Sequence, residues 1–271
     1  MTKSILITGA AGNIGGKLSA HFKGAGDYDL RLLDRMAGDG IVAADLADYG
    51  GHWPRLLEGV DTVLHFAGEP NGNANWASVL RGNVTATQHV LRAARAAKVR
   101  RVVFASTNQV MLGYRFREGP VTTDMPPAPL SPYGISKLCC EQMGRAFVEE
   151  TGIDFLALRI GYFQRGENRP GPHMLIGEWG QSMWLSNRDM IQAAERAIAA
   201  EPFGFAVVNL VSNNLGMRWD IAHTREIIGY VPLDSATPVI DDTARATDAL
   251  ARQATIVPGT WFDENFAVVE G

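Results

Sequence analysis

Tyr133 and Lys137 stand four residues apart in Tyr133-Gly134-Ile135-Ser136-Lys137, a spacing that puts a phenol and an ammonium on one face of a helix. Such a pair can move a proton. A tyrosine ordinarily titrates at about 10, too high for a base at neutral pH, but a nearby cation favours the phenolate. The expectation is therefore that Lys137 draws the pKa of Tyr133 down. Pairs at this spacing are common on solvated helix faces, so the chemical reading needs support from elsewhere in the chain.

That support lies upstream. Residues 3 to 8 read as a short buried strand, which turns through Gly9-Ala10-Ala11-Gly12-Asn13-Ile14-Gly15 into a helix whose apolar residues Ile14, Leu18 and Phe22 recur every four positions. Glycines let backbone approach a pyrophosphate, and the free amides and positive dipole end of the helix attract it. Strand, glycine turn and helix in this order predict a dinucleotide site. A second strand, Tyr28 to Leu33, ends in Asp34, nineteen residues after Gly15. An acid there accepts from both ribose hydroxyls and repels a 2′-phosphate, which argues for NAD. Arg35 follows directly and would suit a 2′-phosphate only if Asp34 released the ribose. Asp45-Leu46, after a short third strand at Ile41 to Ala44, offers a carboxylate and an apolar side chain to the adenine.

A helix around Trp53 to Glu58 leads to a strand from Thr62 to Phe66 that carries His65 among apolar neighbours and ends in Ala67-Gly68. The bland reading of His65 is a satisfied core histidine. Helical segments from about Asn75 to Lys98 precede a strand at Arg101 to Ala105, which stops at the polar Ser106-Thr107-Asn108-Gln109. Ligands bind outside the carboxyl ends of strands in an open parallel sheet, so these residues are candidates for chemistry. A proline-rich loop, Pro120 to Pro132, enters the helix of Tyr133 and Lys137, which runs to about Glu150 and is followed by a buried strand, Ile153 to Ile160.

Alternating strands and helices over residues 1–160 predict an α/β, Rossmann-type, doubly wound parallel sheet with right-handed crossovers. Residues 161–271 are expected to form a small C-terminal substrate-binding lobe packed on it as one structural unit. Residues 164 to 185 are rich in Gly, Pro and Trp with little periodicity, as a substrate loop would be. Ser186-Asn187-Arg188-Asp189 reads as a capping box opening a helix to about Ala200. A strand near Ala206 to Leu210 and a helix from about Trp219 to Ile228 follow.

Composition narrows the partners. With 25 Lys plus Arg against 29 Asp plus Glu in 271 residues, the net charge of −4 offers nothing to a polyanion, so no nucleic acid is expected. The run Arg92, Arg95, Lys98, Arg100 and Arg101 reads as a solvated face complementing a helix dipole. No apolar run approaches membrane-spanning length and no signal-peptide core follows Met1. Adjacent Cys139 and Cys140 are poorly placed to bridge each other, which points to a reducing, cytoplasmic setting. No histidine shares a ligand spacing with another His or Cys, so no metal site is expected.

Together, Gly9, Gly12 and Gly15, then Asp34, Asp45-Leu46, Asn83, Thr107, Tyr133-x-x-x-Lys137 and Leu158-Arg159-Ile160 resemble the extended short-chain dehydrogenase/reductase family, the NAD-dependent epimerase/dehydratase group. The resemblance covers nearly the whole chain. It implies that Tyr133 is the acid/base, that Lys137 lowers its pKa and holds the nicotinamide ribose, and that Thr107 orients the substrate hydroxyl. It further implies that Asn13, Ile14, Ala67, Gly68, Asn83 and Ile160 lie against NAD. Phe104-Ala105-Ser106-Thr107-Asn108, Ser186 to Met190 and the tail Gly259-Thr260-Trp261-Phe262-Asp263 look like uronate dehydrogenases, which oxidise the anomeric carbon of a uronate to a lactone. Two departures stand out: Gln109 replaces a histidine, and His173, in Pro172-His173-Met174-Leu175, falls where that subgroup has an arginine for the sugar carboxylate. A neutral histidine cannot replace a bidentate arginine clamp. Arg169 is the alternative cation. Thr107, Asn108, Gln109, Arg169 and His173 are thus the expected substrate contacts, for a sugar or sugar acid, and a homo-oligomer is the family expectation. The competing readings are a nucleotide-sugar epimerase or dehydratase and a non-catalytic NAD-binding regulator.

Overall fold

The computed structural model describes residues 3–256. In chain order they form β1 (Lys3–Thr8), α1 (Asn13–Ala25), β2 (Tyr28–Asp34), β3 (Ile41–Ala43), β4 (Thr62–His65), α2 (Trp76–Val79), α3 (Ala86–Ala97), β5 (Arg101–Thr107) and α4 (Pro132–Thr151). The second part of the chain adds β6 (Asp154–Ile160), α5 (Gly177–Ser182), α6 (Asn187–Ala199), β7 (Phe205–Leu210), α7 (Ala222–Ile228) and α8 (Asp242–Ile256). All seven strands pair in parallel in the order β3-β2-β1-β4-β5-β6-β7. Strand order reverses between β1 and β4, and a crevice opens there outside the carboxyl ends. The Rossmann-type α/β expectation is met.

The central strands are apolar on both faces because helices cover both. Alternation within them sends Ile5, Ile7, Val103, Leu156 and Leu158 into one layer with Leu18 and Phe22 of α1 and Ala193 and Ala197 of α6. Leu6, Val102, Phe104, Phe155 and Ala157 enter the opposite layer with Val90 and Ala94 of α3 and Cys140 and Phe147 of α4. The segment after Gly161 also contributes to the sheet: β7 pairs with β6 from Phe155↔Phe205 to Ile160↔Leu210.

Two local devices position the site. The Ser131 hydroxyl accepts from the Gly134 amide at 3.1 Å and Pro132 occupies the first turn, so α4 begins immediately before Tyr133. Between α2 and α3 the helix widens into a π-turn at Leu80–Thr85 that carries Asn83. Asn83 is buried; its Oδ1 accepts from the Glu69 amide at 2.8 Å and its Nδ2 donates to the Ser136 hydroxyl at 2.9 Å. It thereby ties the loop after β4 to the helix of Tyr133.

Two sequence expectations need correction. Arg100 and Arg101 do not lie on a solvated helix face: Arg100 pairs with Asp61 at 2.9 Å, and Arg101, fully buried, pairs with Asp154 at 2.6 Å. Arg101 also donates to the carbonyls of Ala197, Ala200 and Glu201, so the positive charge closes the C-terminal end of α6 from inside the protein. The capping box at Ser186 forms by half. Ser186 Oγ accepts from the Asp189 amide at 3.0 Å, but the Asp189 carboxylate accepts from the Ser212 hydroxyl and the Leu233 amide. Its return bond goes to tertiary partners. The tail motif Gly259 to Asp263 lies outside the described residues.

Candidate active site

The crevice is a cleft of about 1160 Å³ along the carboxyl ends of the strands. Gly9, Gly12, Asn13, Ile14, Gly15, Asp34, Asp45, Leu46, Ala67 and Gly68 all line it, together with Thr107, Tyr133, Lys137 and Ile160. Asn83 does not, because it acts from behind through the Glu69 amide.

The glycine turn fits a dinucleotide. Gly9 has φ +73°, and a Cβ there would stand 2.6 Å from the Ala67 amide nitrogen; one on Gly15 would stand 2.0 Å from the Gly9 carbonyl oxygen. Both positions need glycine, the first also for its left-handed backbone. The first turn of α1 carries no acidic residue and its Gly12 cap offers no side-chain acceptor, which leaves amides to face an anion. Asp34 is held in place at the tip of β2, its Oδ2 accepting from the Ala11 amide and its Oδ1 from the Met36 amide, each at 3.0 Å. Farther along the cleft, Asp45 pairs with Arg81 at 2.8 Å. This cradle suits NAD, which would supply the hydride acceptor.

At the other end the chemistry converges. Thr107 closes β5 and Tyr133 stands in the first turn of α4, and both side chains line the cleft. Lys137 is buried beneath them, its Nζ donating to the Ala105 carbonyl at 2.8 Å and lying 5.9 Å from the Tyr133 ring centre. The expected lowering of the tyrosine is not what this geometry gives. Burial pushes the phenol up to about 12, the Thr107 hydroxyl pulls the other way, and the Glu69 carboxylate pushes up again. Burial also brings Lys137 down to about 8. Desolvation dominates both groups because neither has an ion-pair partner among the described residues.

Asn108 is 3% exposed, lines the cleft, and neither amide atom has a partner among the described residues. Buried amides are rarely left so, and a ligand with hydroxyls would satisfy it. Gln109 also lines the cleft, its Oε1 accepting from Ser131 Oγ at 3.2 Å, so the residue after Asn108 is fastened to the cap of α4. Arg169 and His173 are not brought to the cleft. Arg169 is 79% exposed and pairs with Glu167 at 2.9 Å, while the exposed His173 ring bonds Gln164 at 2.9 Å. Residues 164–176 lack regular structure, so no period in the sequence could say which side chains face inward. In their place the cleft is lined by Glu69, Arg115, Tyr162, Arg165, Leu175 and Met183, none singled out from sequence. Arg115 could have been suspected only from its place just after the turn that follows β5.

His65 is the core histidine expected, fully buried, with Nδ1 2.7 Å from the Thr8 hydroxyl and Nε2 3.1 Å from that of Thr87. Among the described residues no group of three His, Cys, Asp or Glu side chains could hold a metal, and no helix is long and apolar enough to cross a membrane.

Known proteins agree with this geometry. Residues 5–172 match the model of the NAD dependent epimerase/dehydratase family. The L-arabinose 1-dehydrogenase (NAD(P)(+)) of Haloferax volcanii is 32% identical over 254 residues, 88% of this chain and 99% of that one. The uronate dehydrogenase of Pseudomonas putida is 34% identical over 240 residues, covering 86% of this chain and 84% of its own. The crystal structure of glucuronic acid dehydrogenase from Chromohalobacter salexigens superimposes with a TM-score of 0.75 at 28% identity, over 96% of this chain and 91% of that one. With its glycine cradle, acidic β2 tip and Thr-Tyr-Lys corner, the chain belongs to the NAD-dependent epimerase/dehydratase family of extended short-chain dehydrogenases/reductases.

Proposed function

We propose that this protein is an NAD-dependent dehydrogenase that oxidises a hydroxyl of a free sugar or sugar acid. The observation that carries this reading is the convergence of Thr107, Tyr133 and Lys137 at the end of β5, beside the unsatisfied amide of Asn108. Asn108 and Thr107 would hold the substrate hydroxyl and Tyr133, once ionised, would take its proton, while NAD held by the glycine cradle would supply the hydride acceptor. Raised to about 12 by burial, the phenol is held in its protonated form at neutral pH. To serve as the base it must first be ionised, and a positive charge beside it, as NAD held in the glycine cradle would bring, would favour the phenolate. The names of the relatives, an arabinose and a uronate dehydrogenase, support the substrate class.

The test is reduction of NAD against a panel of free aldoses, uronic acids and polyols, with Tyr133→Phe as control. The variant is expected to keep its affinity for NAD and lose turnover by roughly 10²–10⁴-fold. Normal turnover in the variant would overturn the assignment. Activity restricted to nucleotide-linked sugars would favour the epimerase reading, and tight NAD binding without any turnover would favour the regulator.

A further inference from the structure

Among the described residues, five cationic side chains line the cleft: Arg35, Arg81, Arg115, Lys137 and Arg165. Four belong to the cofactor or the proton chemistry. Arg35 follows Asp34, Arg81 pairs with Asp45, and Lys137 serves Tyr133. Arg165 is exposed and follows Gln164, whose carbonyl accepts from Asn13 Nδ2 at 3.1 Å, so its backbone lies beside the start of α1. Arg115 remains. It comes directly after the turn Asn108–Tyr114, which places it on the wall that begins with Asn108 and Gln109.

Its surroundings are built to hold it. The Arg115 side chain is only 10% exposed and pairs at 2.5 Å with Asp248 of α8, 133 residues later in the chain. Asp248 is braced from behind: a Cβ on Gly177, at the start of α5, would stand 2.7 Å from its Oδ1. Among the described residues the acid of the cleft at this end is Glu69, which is engaged by the Asn71 amide and, from α2, the Ser78 hydroxyl. Burying a guanidinium is expensive, and a site for a neutral sugar is served by hydroxyl and amide groups alone. A planar fork matches the paired oxygens of a carboxylate or a phosphate.

We propose that Arg115, positioned by Asp248, receives an anionic group of the sugar substrate and sets specificity for it. The inference rests on the dehydrogenase reading and assigns to Arg115 the role that neither Arg169 nor His173 is placed to fill.

The experiment compares kcat and KM for galacturonate, galactose 6-phosphate and galactose, with NAD saturating, in the native protein, Arg115→Gln, Arg115→Lys and the double variant Arg115→Gln/Asp248→Asn. The native protein is expected to favour one of the two anionic sugars over galactose, and which one identifies the anion. Arg115→Gln should lose about 100-fold in kcat/KM on that sugar, mostly through KM, with a loss on galactose at least about tenfold smaller. Arg115→Lys should recover part of it, because it keeps the charge without the fork. The double variant leaves no unpaired carboxylate and should remain folded with the same lost selectivity. Equal losses on charged and neutral sugars, or a native preference for galactose, would overturn the role of Arg115 and leave the dehydrogenase standing. NAD binding with no turnover of any sugar would overturn both.

Discussion

Lys137 Nζ donates to the backbone carbonyl of Ala105 at 2.8 Å, which anchors the ammonium of α4 two residues short of the end of β5. The bond fixes where the charge sits relative to Thr107 and Tyr133. It does not compensate for burial, which brings the lysine from 10.5 to about 8.

That displacement has a sign in stability. Between pH 8 and pH 10.5 the unfolded chain holds a proton that the folded chain has released, so this group's contribution to stability rises with pH across that window. Below pH 8 both states are charged and the full penalty, about 3 kcal/mol, remains. Urea midpoints for the native protein and Lys137→Met at pH 7 and pH 10 measure it. The native protein should gain on the variant as pH rises. Parallel pH dependence of the two would show that Lys137 does not titrate in this window.

His65 follows the same sign in a lower window. Buried between Thr8 and Thr87, it is lowered from 6.5 to about 3 by desolvation, with the Lys137 charge adding to the effect. Below pH 6.5 the unfolded chain takes up a proton that the folded imidazole refuses, so stability falls as pH drops toward 3. At pH 4.5 the loss from this group is about 3 kcal/mol. His65→Gln should flatten the acid limb of a plot of unfolding free energy against pH, even if it lowers stability at pH 7. An unchanged limb would assign acid sensitivity to other groups.

Much of this was legible in the sequence because the signals are local. Gly9 to Gly15, Asp34 and Tyr133 to Lys137 each carry their meaning within a turn or a strand end, and alternating strands and helices order them along the sheet. The contacts that were not legible join distant segments. The Asp248 partner of Arg115 and the π-turn that presents Asn83 leave no periodic trace. The Asp189 carboxylate matched a local capping pattern while its partners, Ser212 and Leu233, come from elsewhere in the chain. Local spacing reports the options open to a side chain, and burial decides among them.

Asp34 tests the cofactor preference. Two backbone amides hold its carboxylate at the end of β2, where it would meet the adenosine ribose. Asp34→Ser removes the charge that excludes a 2′-phosphate and leaves Arg35 beside the site. The ratio of kcat/KM for NADP over NAD should rise by at least about tenfold. A ratio unmoved by the substitution would mean that the discrimination lies in other residues of the pocket.

The helix of Tyr133 is pinned to the sheet by a buried network one step behind the site. Ser106 and Arg159 are register partners on β5 and β6, immediately before Thr107 and Ile160, and both reach Glu141, one turn beyond Lys137. Arg159 grips Glu141 at 3.0 and 2.8 Å, Ser106 donates at 2.5 Å, and all three side chains are almost wholly buried. Removing one charge strands the other away from water, so Glu141→Gln should cost about 3–5 kcal/mol of unfolding free energy. Replacing both charges with apolar groups of similar volume, Glu141→Leu with Arg159→Met, should cost less than the single change, because no buried charge is left alone. Denaturant titration of the three proteins decides this. A double variant less stable than Glu141→Gln would mean that the ion pair contributes net stability of its own, beyond keeping two buried charges satisfied.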